Sequence, residues 1–330
     1  MIQFLADNID QLDLALDQLA IADRNFDRFA FMLIDNVVEL TLHKFAQDKA
    51  GENEMWGRWG EPKHDQKVIK EALSQNFDCK VKAAGKLGLL NKAISESILN
   101  LHSYRNTAYH KGLRHEGILH SLALFYFRNA CTLLAAYEPV WWSWSSSDKP
   151  SHRAQKYLGD PRRGDYRKVF EFAYARLDSV AASMHEDLVG DLSEDLSKTI
   201  DSIDETIDFL VDGGPKKKNR DDVIIDCQVW PFAFTDDAKA YAKANGCKET
   251  TVGGFLDWIT KNYPWPLRKD PVSGWRKRLA TLRREKNRHN VLKIYCDFMR
   301  QTEKIRAQIV EAAAQLDAYI QQQIDVARGK

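Results

Sequence analysis

The sequence predicts an all-α protein, and two observations carry that prediction. Apolar residues recur at helical spacings of three and four along most of the chain, and almost nowhere do they alternate with period two. The 330 residues suffice for two or three ordinary domains, each with its own core. The expected organisation is a helical domain over 1–140, a loop and acidic amphipathic connector helices over 141–212, and a second, basic and mainly helical domain over 222–330.

Residues 9–48 read as helix, in one piece or two, with Phe26, Phe29, Leu33, Val37, Leu40 and Phe45 as its apolar face. The stretch "AGENEMWGRWGEPKHD" reads as a loop, from its Gly, Pro and charge. Helical segments follow at 65–76, 79–90 and 92–109. The last ends near Gly112, which can take a left-handed cap conformation. Residues 116–138 form the next strong helix. Its apolar run "ILHSLALFYFRNACTLLAAY" carries His120, Arg128 and Asn129, a load that suits a buried core helix and not a membrane span. Residues 139–165 read as a long loop whose "WWSWSSS" packs on the helices. Helix resumes at Tyr166 and runs to about 211. Leu192, Leu196, Ile200, Ile203, Ile207 and Leu210 make one apolar seam there on an otherwise acidic surface. "DGGPKKKNRDD" marks a linker without the spacing of a phosphate loop. "DVIIDCQVWPFAF" suits one short strand, and helices follow at 235–245, 250–262 and 272–326.

The bulk composition narrows the function classes. Hydrophobic residues make up 44% and charged residues 29%, with a net charge of +1, so no global attraction to a polyanion follows. Five scattered cysteines, with no Cys-x-x-Cys, suit free thiols in a reducing, cytoplasmic setting. The acidic start "MIQFLADNIDQLDLALDQ" lacks the basic region of a signal peptide. His102, His110, His115 and His120 are spaced 8, 5 and 5 apart. None forms the i,i+4 pair that puts two ligands on one helix face, so neither a metal nor a cofactor is expected.

The chemistry-bearing stretch is "YRNTAYHKG", with Arg105, Asn106 and His110. Histidine exchanges protons near neutral pH, and arginine offers a permanent cationic fork that suits phosphate. Together they meet the needs of metal-free RNA cleavage: a proton acceptor for the 2′-hydroxyl and a cation for the charge that grows on phosphate oxygens. Five residues on an ideal helix turn the two side chains about 140° apart and displace them about 7.5 Å. Either the helix ends between them or a second copy of the chain completes the site across a two-fold axis.

This stretch, set between two apolar helices, resembles the HEPN superfamily (higher eukaryotes and prokaryotes nucleotide-binding). The resemblance covers roughly residues 10–140. It implies an antiparallel bundle of four or five helices and a dimeric, metal-independent endoribonuclease of toxin or anti-phage defence systems, leaving a 2′,3′-cyclic phosphate. Arg105 and His110 would be catalytic and Asn106 supporting. It also implies an antitoxin or defence protein as partner. Other family members are catalytically silent and bind nucleotides or partners, which is the alternative reading.

Arg114 and His115 lie close enough to the motif to touch RNA. Residues 261–306 hold fourteen Lys or Arg against four Asp or Glu, with Tyr263, Trp265, Trp275 and Tyr295 interleaved. Arg276, Arg283 and Arg284 there are candidate RNA contacts, and the aromatics either stack bases or fill a core. Arg284 and His289 repeat the Arg–His spacing, which reads as coincidence in a basic helix. Residues 186–212 carry ten acidic residues and only Lys198. Their helix is expected to pair with the basic one and, as a hypothesis, to restrain it.

Overall fold

The computed structural model describes residues 1–58, 60–110, 116–145, 147–159, 165–214 and 218–329, without the side chains of 107–110 and 116. Among the described residues there are fourteen α-helices, one short 3-10 turn and no strand. The chain divides into two compact units. The first comprises Met1–Leu192 with Lys286–Lys293, and the second Ser193–Glu285 with Ile294–Lys330.

The first unit opens with α1 (Ile2–Leu19) and α2 (Arg24–Gly57). Asp23 caps α2, accepting from the Asn25 amide at 2.9 Å. The helix runs through much of the expected loop after residue 50. Glu52 is tied there to Lys49, Lys63 and His64, and the Asn53 side chain bonds both backbone groups of His64. Three short-to-medium helices follow: α3 (Gln66–Ala72), α4 (Phe77–Lys86) and α5 (Lys92–His110). Asp65 caps α3 and Asn76 caps α4. Gly112, the expected stop of α5, lies outside the described residues. The 3-10 turn Glu116–Ile118 leads into α6 (Leu119–Ala136). This helix is apolar nearly all round, with Leu122, Leu124, Phe125, Tyr126 and Phe127 all buried, because helices pack on several of its sides. No helix among the described residues is long and apolar enough to cross a membrane.

The inner face of α2 differs in part from the expected one. Val37 and Phe45 are buried as expected, but Phe26, Phe29 and Leu40 are exposed, and Ala30, Phe31, Ile34, Val38 and Leu42 are buried instead. The same inner face carries Asp27 and Asp35, also buried, and these acids hide the stripe from a hydrophobic count.

The expected loop at 139–165 contains a helix, α7 (His152–Leu158). Ser151 caps it, and Arg153, Lys156 and Tyr157 converge on the buried carboxylate of Asp13. In the aromatic run, Trp142 packs on Phe170 with ring centroids 5.7 Å apart, while Trp141 stays exposed. The long helix expected from 166 is two helices, α8 (Tyr166–Ser183) and α9 (Leu188–Gly213). Asp187 starts the second by accepting from the Gly190 amide at 2.9 Å.

The second unit is built on most of α9 and on α13 (Val272–Arg284) and α14 (Arg288–Ala327). The break between these last two, inside the helix expected over 272–326, is capped by Asn287, which accepts from the His289 and Asn290 amides. Leu196, Ile200, Ile203 and Ile207 of the α9 seam are buried. The Tyr295 hydroxyl donates to Asp195 at 2.6 Å, and a Cβ on Gly213 would stand 3.0 Å from Leu316, so α9 and α14 run parallel. Between α9 and α13 come α10 (Arg220–Ala233), α11 (Asp236–Ala244) and α12 (Val252–Asn262). The expected strand at 222–234 is therefore helix. Val223, Ile224 and Cys227 bury one helical face, Val229 packs with Ile259 and Trp265, Asn219 caps the start and Asp221 and Asp222 favour the first turn. Packing of that face overrides the β-preference of the Val–Ile run.

Candidate functional site

The site is built on α5, where Arg105 faces α2. Arg105 Nε lies 3.3 Å from Asp35 Oδ2, an ion pair whose N–H is not aligned for a hydrogen bond. Its Nη1 donates to Asn106 Oδ1 at 2.9 Å. Arg105 is 30% exposed while the Asp35 carboxylate is fully buried, so the guanidinium is anchored from below and open above.

Asp35 gathers more than Arg105. His102 Nδ1 donates to it at 2.9 and 3.1 Å, and the Tyr126 hydroxyl donates at 2.8 Å. Burial, with Asp35 beside it, pushes the Tyr126 phenol well above its usual range, so it stays a donor. His102 lies flat on Phe77, with ring centroids 3.7 Å apart and planes within 6°. Three helices and the start of α4 therefore meet at one buried acid. Other carboxylates of α2 are matched in the same way. Asp27 accepts from His120 at 2.7 Å, Glu39 from Lys80 at 2.6 Å, and Asp48 from Tyr137 at 2.5 Å. The hydrogen bond to Asp27 raises the His120 pKa against the effect of burial.

The His110 side chain and all of Arg114 and His115 lie outside the described residues. Arg276 is 48% exposed and pairs with Asp201 and Asp204 of α9, at 2.9 and 2.7 Å. Arg220 bridges Asp204, Asp208 and Asp270. The acidic helix does pair with cationic side chains of its own unit. Arg283 and Arg284 are exposed at the end of α13. The interleaved aromatics fill cores instead of forming a base-stacking face. Trp265, Trp275 and Tyr295 are buried, Trp275 packs edge-on against Phe298 at 5.5 Å, and Tyr263 joins Phe232 and Trp265. His289 is half-buried in the first unit, bonded to Ser97 at 2.8 Å with its ring against Phe125. Burial pushes its pKa down, as expected of a packing histidine. Among the described residues no three His, Cys, Asp or Glu side chains gather as a metal set.

Sequence reasoning missed Asp35, Tyr126 and the role of His102. The available signal was an acid inside the apolar run "FMLIDNVVEL" and a His three residues before Arg105, one helical turn away.

Set against known proteins, the chain matches no family model, no curated protein and no solved structure.

Proposed function

We propose that the chain is a metal-independent endoribonuclease of HEPN type, acting as a homodimer in a cytoplasmic defence or toxin–antitoxin setting. Arg105 stabilises the charge that develops on the phosphate, His110 serves as acid/base, and Asn106 holds the arginine. The observation that supports this reading is the anchoring of Arg105. A guanidinium held by its ion pair with Asp35 and by the hydrogen bond from Nη1, and still 30% exposed, is preorganised for an oxyanion. The test is RNA cleavage in EDTA by wild type, Arg105→Ala and His110→Ala, with product ends read for 2′,3′-cyclic phosphate. Chelator-resistant cleavage should fall by about 10²-fold or more in both variants. Cleavage that survives both would place the activity elsewhere.

A second reading is a catalytically silent HEPN-like protein that binds a nucleotide or a partner protein in a defence complex. The closeness of Arg105 to Asp35 favours it, because a compensated cation serves packing as well as catalysis. On that reading the wild type binds RNA or nucleotide without cutting, and Arg105→Ala reduces stability more than binding.

A further inference from the structure

We propose that His102 is a second proton-transferring residue of this site, taking the 2′-hydroxyl proton of RNA held at Arg105; the inference rests on the ribonuclease reading above. Its Nδ1 is bound to Asp35 at 2.9 and 3.1 Å. A carboxylate only accepts, so Nδ1 carries a proton, and in its neutral form the ring presents its lone pair at Nε2. The stack on Phe77 fixes the plane of the ring. Among the described residues no hydrogen bond engages Nε2, and 15% of the side chain reaches the surface. Arg105, three residues later, meets the same carboxylate. On α5 the imidazole and the guanidinium are therefore only about 60° and 4.5 Å apart, neighbours on one helix face. That is the juxtaposition which Arg105 and His110 lack within a single regular helix.

In the reaction, His102 Nε2 takes the proton of the 2′-hydroxyl and the 2′-oxygen bonds to phosphorus. The bond from phosphorus to the 5′-oxygen breaks, and that oxygen leaves with a proton from His110. Arg105 faces the charge on the non-bridging oxygens. The products are a 2′,3′-cyclic phosphate and a 5′-hydroxyl, and proton exchange with water resets both histidines. Asp35 is a positioning residue, fixing the tautomer and the direction of the His102 ring.

The decisive variant is His102→Asn, whose amide nitrogen stands near the place of Nδ1 and can still donate to Asp35 but cannot carry the proton. It should cut RNA in EDTA about 10²- to 10⁴-fold more slowly than wild type, with unchanged affinity for an uncleavable 2′-O-methyl oligonucleotide. Asp35→Asn should slow the cleavage step with unchanged affinity for the same oligonucleotide, because an amide can also turn a donor toward Nδ1 and no longer fixes the tautomer. On the unaltered protein, nitrogen-15 imidazole signals of His102 should shift when the 2′-O-methyl oligonucleotide is added, a readout that does not depend on how the variants fold. His102→Asn cutting within threefold of wild type while Arg105→Ala is inactive would overturn this proposal and leave the ribonuclease reading standing. Unmoved His102 signals at saturating oligonucleotide would overturn it as well. A wild type inert on every RNA would overturn both.

Discussion

Burying the Asp35 carboxylate alone would cost several kcal/mol, and the fold tolerates it only because His102, Tyr126 and Arg105 surround it. The same arithmetic governs Glu52 near the end of α2. Burial raises its carboxyl, but Lys49, His64 and Lys63, between 2.7 and 3.0 Å away, outweigh burial and hold it down at about 2. The folded value lies below the ordinary 4.5, so the unfolded chain binds the proton more readily. Stability from Glu52 is therefore full above about pH 4.5 and is lost as pH falls toward 2. Glu52→Gln should lower unfolding free energy by about 1 kcal/mol at pH 7, since the exposed Lys63 screens part of the effect, and by progressively less in acid. Denaturant titrations at pH 7, 4 and 2.5 would check this, and a pH-independent difference would refute the assignment.

At the scale of elements, the α9 seam gives the clearest expectation. Ile200 is fully buried at the centre of that face. Ile200→Ala should destabilise the second unit by about 2–4 kcal/mol, seen as a lower unfolding midpoint and as faster amide exchange along α9, α13 and α14. The seam was legible in advance because it alternates cleanly with acidic residues that face water. The α2 stripe was not, because Asp27 and Asp35 stand where apolar residues would have announced it. The helix at 222–234 was equally hidden, since a Val–Ile run followed by Pro reads as strand until its packing face is known. Breaks at 184–187 and 285–287 escaped a periodicity argument because neither holds a Gly or Pro to mark it; Asp187 and Asn287 start the helices that follow. Arg105 and Asn106 could be picked out as a candidate pair from residue type and order alone. Asp35, seventy positions earlier, could be joined to them only by the fold.

For the molecule as a whole, the proposed dimer carries a sharp consequence. α5 runs on as far as His110, and on a regular helix Arg105 and His110 diverge by about 140°, so on the proposed reading a site using both would draw them from two chains. Inactive Arg105→Ala and inactive His110→Ala proteins, unfolded together and refolded as a mixture, should regain part of the cleavage, because mixed dimers contain one intact site. Light scattering should report twice the 37.9 kDa chain mass at working concentration. A monomer that cleaves, or a mixture that stays inactive while mixed dimers form, would reject the composite site.

The first unit is also discontinuous in sequence, since Lys286–Lys293 belong to it although the second unit intervenes. Ser97 of α5 and its partner His289 are separated by 192 positions. On a ribosome adding 5–20 residues per second, this lag is roughly 10 to 40 s. The helix that carries Arg105 thus leaves the exit tunnel well before the segment that braces it. Its final packing is a late event of biosynthesis, set by translation speed and open throughout that interval to whatever binds nascent chains.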